Sequence, residues 1–180
     1  SVASRGLGDV YKRQVEKMVG ANHPTLSDTL NRLTLVAHNE DGTHKAGINC
    51  LDAAQYASLN AAIDAIGSTV TTLIISSSIT MTGNKTVPST LGLQVVNGGL
   101  ITSVSPVTLT INGPFQAGLT QCFDTDVTVS FGSGSVSEVF PEWWRAIGDG
   151  STNDKAAIQS AIDASRYATV KFQKRSYRIN

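Results

Sequence analysis

The chain has 180 residues, with 14 basic and 14 acidic side chains and therefore no formal net charge at neutral pH. That balance offers no basic field to gather nucleic acid or anionic lipid, and no run approaches the ~18–20 apolar residues of a membrane-spanning helix. Apolar content is ordinary at 41%, aromatics are scarce at 6%, and 16 glycines accompany abundant Ser and Thr. This favours a β-rich domain with many turns over a helical bundle.

In chain order, residues 1–14, SVASRGLGDVYKRQ, are set aside, because LGDVYKRQ reads as translated sequencing-adapter DNA at the edge of a metagenomic contig. The chain has no initiator Met and no secretory signal pattern, and it stops at Asn180 as a strand ends. It is read as an N-terminal fragment of a longer protein. Residues 15–67 are read as a helical and loop region, serving attachment or trimerisation. His23-Pro24 marks a turn into a short helix with Leu26, Leu30 and Leu33 on one face. His38 and His44 flank Asn39, Glu40 and Asp41, but six residues across an Asp-Gly turn is not a metal-ligand spacing. A solvated loop is expected there, and no metal is assigned.

A helix is predicted over 49–66, with Leu59, Ile63 and Ile66 as its apolar stripe and Gly67 just past its end. The stripe is expected to pack on the first rung of the β-structure that follows, or on sister chains. Cys50 and Cys122 are far apart; two buried or free thiols are the preferred reading, and a disulfide is the alternative.

Between 68 and 138 the period changes. Strands are predicted at 73–75, 93–96, 109–111 and 127–129, with shorter pieces at 79–81, 86–87 and 100–101. Gly83-Asn84, Asn97-Gly98-Gly99, Asn112-Gly113-Pro114 and 132–134 supply turns between them. The main strands start about 16–20 residues apart, near the short end of solenoid repeats. From the strands alone, a parallel β-helix and an antiparallel sandwich compete.

Residues 139–180 form a supersecondary unit: an aromatic anchor (Phe140, Trp143, Trp144), a Gly148-Asp149-Gly150 turn, a helix and a strand. Ser151 to Asp154 fits a loose capping box. Ala157, Ile158, Ala161 and Ile162 share a helical face, and Val170 and Phe172 one side of a strand. WWRAIGDGSTNDKAAIQSAID followed by TVKFQKRSYRI resembles the N-terminal signature of the pectate-lyase-like superfamily, which includes rhamnogalacturonase- and epimerase-like proteins and phage tailspikes. The usual pattern is close to W-G-A-x-G-D-G-x-T-D-D-T-x-A-I-Q-x-A-I, then G-G-x-V-x-F-P-x-G-x-Y-x-I. Trp144, Ala146, Gly148, Asp149, Gly150, Thr152, Asp154, Ala157, Ile158, Gln159, Ala161 and Ile162 match the first part. Val170, Phe172, Tyr177 and Ile179 match the second. Arg145 stands where the family has Gly, Asn153 replaces an acid, Tyr167-Ala168 replaces a Gly pair, and Gln173 and Arg175 replace Pro and Gly. If Arg175 has to take the positive φ that Gly would allow there, it carries a strain on the order of 1 kcal/mol.

The resemblance implies the start of a mostly β, right-handed parallel β-helix (a pectin-lyase-like solenoid) with short N-terminal helices and one capping helix. The expected domains are 15–67, 68–138 for the first coils and 139–180 for the family domain. The resemblance also implies an extracellular or virion-associated protein that binds, and in one reading degrades, a polysaccharide. The alternative is a non-catalytic tailspike or adhesin, homotrimeric and joined to virion tail components. HNEDGTHK is similar to segments of phage tail and virion-attachment proteins. Family catalytic residues would lie beyond Asn180, so no catalytic residue, cofactor or metal is assigned here; Ca²⁺ belongs to a full-length lyase. The signature residues Trp143, Trp144, Gly148, Asp149, Gly150, Thr152, Asp154, Ile158, Gln159 and Tyr177 are expected to be structural. Trp143 and Trp144 are expected to close the core, with sugar stacking as the alternative. Asp124 and Asp126 would form a carboxylate pair on a strand but read as turn residues. Glu138 and Glu142 are expected to face solvent.

Overall fold

The structure, a computed structural model, describes residues 50–180. The helix expected over 49–66 is shorter than its alanine content suggests. Cys50–Asp52 is a strand, β1, followed by a single 3-10 turn at Ala53–Gln55, and the helix α1 runs only over Leu59–Ile66. Pairing overrides propensity here. β1 lies parallel to β2 (Thr71–Ile75), Leu51 beside Leu73, and the Asp52 carboxylate accepts from Ala54 N–H at 2.9 Å and from the Ser76 hydroxyl at 3.2 Å. α1 begins where Ser58 Oγ accepts from Ala61 N–H at 3.1 Å. Leu59, Ala62, Ile63 and Ile66 are its buried stripe, facing β3 (Ser78–Met81).

From β2 onward the chain visits three parallel ladders in rotation. After β2 and β3 comes β4 (Lys85–Val87). β5 (Leu91–Val95) then returns beside β2, β6 (Leu100–Ser103) beside β3, and β7 (Val107–Ile111) beside β4. In the next round β8 (Phe115–Ala117) pairs with β5, Phe123 bridges Ile101, and β9 (Val127–Phe131) pairs with β7. Every strand pair among the described residues is parallel, which excludes the antiparallel sandwich. The starts at 73, 93, 109 and 127 mix two ladders. Within a ladder, partners are 20 to 24 positions apart, as Leu73 with Leu93 and Lys85 with Leu109.

Register stacks like on like. Alternate side chains of each strand point inward, giving the columns Leu73–Leu93–Phe115, Ile79–Ile101–Phe123 and Val87–Ile111–Phe131. Each column ends in phenylalanine. The three rings meet one another with centroids 5.3 to 6.4 Å apart, and Trp143 lies against Phe115 at 5.1 Å. Aliphatic layers thus give way to an aromatic layer, whose large rings close the end of the columns.

Beyond it, β10 (Glu138–Val139) leads into a 3-10 turn at Pro141–Trp144. Then come β11 (Asp149–Asn153), α2 (Lys155–Ala164), β12 (Thr169–Val170) and β13 (Ser176–Arg178). β10 pairs with β12 and β11 with β13, both parallel, and α2 packs on the 3-10 turn and β9. Two expectations need correction, and one condition set for the turn is not met. Ser151 is not a cap, because its segment is drawn into the β11–β13 ladder. Ile162 and Phe172 are exposed; Ala164 takes the place of Ile162 on the buried face of α2. Arg175 is not among the residues of positive φ; that conformation falls on Arg145, at φ 71°.

Candidate functional site

The signature residues converge on a junction that ties the C-terminal strands to the 3-10 turn. Asp154 is only 2% exposed and precedes α2, yet its carboxylate turns away from the helix. It accepts from Ile147 N–H at 2.7 Å and Gly148 N–H at 3.1 Å, fixing the loop that enters β11. Gly148 has φ 64°, and a Cβ there would meet Arg175 Cβ at 2.8 Å, so the position is closed to larger residues. Asp149 accepts from Ser151 and Thr152 N–H and from the Thr152 hydroxyl. These bonds, the Thr152 N–H first, hold its carboxyl well below the usual carboxylate range. Gly150 has φ 76°, Ile158 is buried on α2, and Gln159 is exposed and donates to Asp163 at 2.8 Å.

Glu142 is where expectation and structure part. Instead of facing solvent it is 3% exposed, and Tyr177 O–H donates to its Oε1. Its Oε2 is buried with no partner among the described residues. Gln173 N–H donates to the Tyr177 oxygen at 3.2 Å, so one phenol joins three segments. Burial, then the bond to Glu142, raises the Tyr177 phenol above its ordinary value. Trp143 and Trp144 are buried, and Trp143 Nε1–H donates to the Gly118 carbonyl at 2.8 Å. Neither ring presents an open face to a sugar.

An open groove of about 460 Å³ lies along β8, the edge strand of its sheet. It arises because Phe115 N–H still bonds the Ser135 carbonyl, after which the chain leaves for β10 without pairing along β8. Phe115 and Trp143 line its depth. Gln94 and Gln116, in register on β5 and β8, supply two stacked amides, facing Ser137, Glu138 and the half-buried Phe140. Glu138 takes an ion pair from Lys171 Nζ at 2.9 and 3.0 Å, and the same ammonium lies 5.9 Å from the Phe140 ring centre. The groove therefore combines hydrogen-bonding amides, an apolar wall and one compensated carboxylate.

Of the signature residues, only Trp143 lines the groove. Asp124 and Asp126 lie at a turn: Thr125 N–H bonds Asp124 Oδ1 at 2.8 Å, and they form no carboxylate pair along a strand. Cys50 and Cys122 are both free thiols; burial pushes Cys122 up to about 12. His38, His44, the 1–14 tail and the helix predicted near Leu26 lie outside the described residues. Among the described residues no group of three or more His, Cys, Asp or Glu gathers as a metal site, and no helix is long and apolar enough to cross a membrane.

Comparison with known proteins adds no relative: no family model, no curated protein and no solved structure matches the chain.

Proposed function

We propose that the chain folds as the opening of a right-handed parallel β-helix of the pectin-lyase-like kind, and that it binds polysaccharide in an extracellular or virion setting. The observation that carries the architecture is the rotation of the chain through three parallel ladders with in-register apolar columns, the arrangement a stacked solenoid requires. For binding, the support is the groove along β8, with its amides, apolar wall and open access.

The choice between degrading and attaching rests on carboxylates. Glycoside hydrolysis needs two, flanking the bond to be cut. Among the described residues the groove lining has one, Glu138, already bonded to Lys171. That favours attachment, as in a tailspike or adhesin, at this groove. The test is incubation of the protein with a panel of polysaccharides, following retention on the polymer, reducing ends and unsaturated products together. Retention without cleavage is the expected outcome. Depolymerisation would overturn the attachment reading, and failure to retain any polymer would overturn the binding role.

A further inference from the structure

We propose that the groove along β8 selects a neutral polysaccharide segment, read by the paired amides of Gln94 and Gln116; this rests on the binding role proposed above. The two residues are register partners on adjacent parallel strands, so their side chains leave the sheet ~4.8 Å apart and on the same face. A carboxamide both donates and accepts, as a sugar hydroxyl does, and two in a row suit a ligand that itself repeats. Phe140 and Ala117 give the opposite requirement, apolar surface for the carbon-bound faces of a sugar ring.

Charge decides the class of sugar. A uronate polymer needs cations to meet its carboxylates, and the described residues lining the groove include none. Lys171 Nζ donates to both oxygens of Glu138 and leaves that wall neutral overall. An acidic polymer would have to share this ammonium with Glu138 and lie against that carboxylate. A neutral chain meets no such penalty.

The experiment measures binding of the chain to cellohexaose, chitohexaose and dextran, and to polygalacturonate and alginate, between roughly 0.05 and 0.5 M salt. At least one neutral glycan is expected to bind, with affinity nearly independent of salt. Gln116→Ala should weaken it about five-fold, the order of one hydrogen bond, and adding Gln94→Ala should weaken it further. Gln116 is exposed and Gln94 half-buried, and unchanged thermal melting of these variants separates lost recognition from lost fold. Binding of the acidic polymers alone, or wild-type affinity in the double variant, overturns the proposal and leaves the general binding role standing. Binding to none of the five probes overturns this proposal; the broader panel above decides the role itself.

Discussion

Removing the Tyr177 hydroxyl tests whether the junction works as described. Tyr177→Phe leaves the ring in place but strips Glu142 Oε1 of its donor, and Oε2 already has none. A carboxyl group 3% exposed would then have no hydrogen bond to any described side chain. Leaving one buried acceptor unsatisfied costs about 1–3 kcal/mol, more if it is charged, so a loss of about 2 kcal/mol is expected. Glu142→Met removes the acceptor instead; Tyr177 is only half-buried, so its hydroxyl can turn to water and the loss should stay below about 1 kcal/mol. The double variant has neither group to satisfy and should recover most of what Tyr177→Phe lost. Chemical denaturation of the four proteins gives the coupling directly, expected near 2 kcal/mol. Additive losses, or a Tyr177→Phe protein as stable as the parent, would refute the reasoning. The sign with pH follows too: a phenol raised in the folded state contributes stability below its ordinary value and loses it as pH rises through the raised one. The parent should therefore weaken in alkali more than Tyr177→Phe.

Gly113→Ala places a Cβ 1.9 Å from the Leu91 carbonyl oxygen and 2.8 Å from that of Pro88, so backbone must move; a loss of at least about 2 kcal/mol is expected in thermal melts. Gly118→Ala, with nothing within 4 Å of its new Cβ, should stay within roughly 0.5 kcal/mol of the parent. For the thiols, exposed Cys50 should react with a disulfide reagent in the native protein, and Cys122, held protonated and buried, only on unfolding. Asp149 is depressed in the fold, so its contribution is full above the ordinary carboxylate value and fades as pH falls; Asp149→Asn should flatten the acid limb of the stability profile.

How much of this was legible depends on where each signal lies along the chain. β5, β7 and β9 were legible because apolar residues alternate strictly with small or polar ones, and β2 because it is a run of β-branched residues and leucine; both are local signals. β8 is three residues set between Pro114 and Gly118, and Phe123 makes a lone bridge; both owe their conformation to the preceding round of the chain. β1 was hidden by the alanines that follow it. The groove escaped for the same reason as β8: Gln94 and Gln116 are unremarkable polar residues until register places them side by side. Glu142 was misjudged because its burial depends on Tyr177, 35 residues later. The turn at Gly148–Gly150 and the helix after it were legible because their signals are local, but the part these residues play as a junction was not.

Arg145 joins the two levels. Arg175 takes no positive φ, but the chain takes φ 71° and ψ 27° at Arg145, directly after the buried Trp143-Trp144 pair. Trp144 is held in the core while Asp154 holds the Ile147 N–H, so two residues must reverse the chain, and the first bears the left-handed turn. For a residue with a Cβ this costs roughly 1–2 kcal/mol. Glycine removes that cost but gains about 0.5–1 kcal/mol of unfolded-chain entropy, so Arg145→Gly should stabilise by a net ~0.5–1 kcal/mol. The side chain is exposed, so little packing is lost with it. Arg145→Ala keeps the Cβ and should bring no gain. Thermal melts of the two variants decide the matter: a glycine variant that melts below the parent, or an alanine variant stabilised as much as glycine, would mean that the left-handed turn at Arg145 is not where the junction stores its strain.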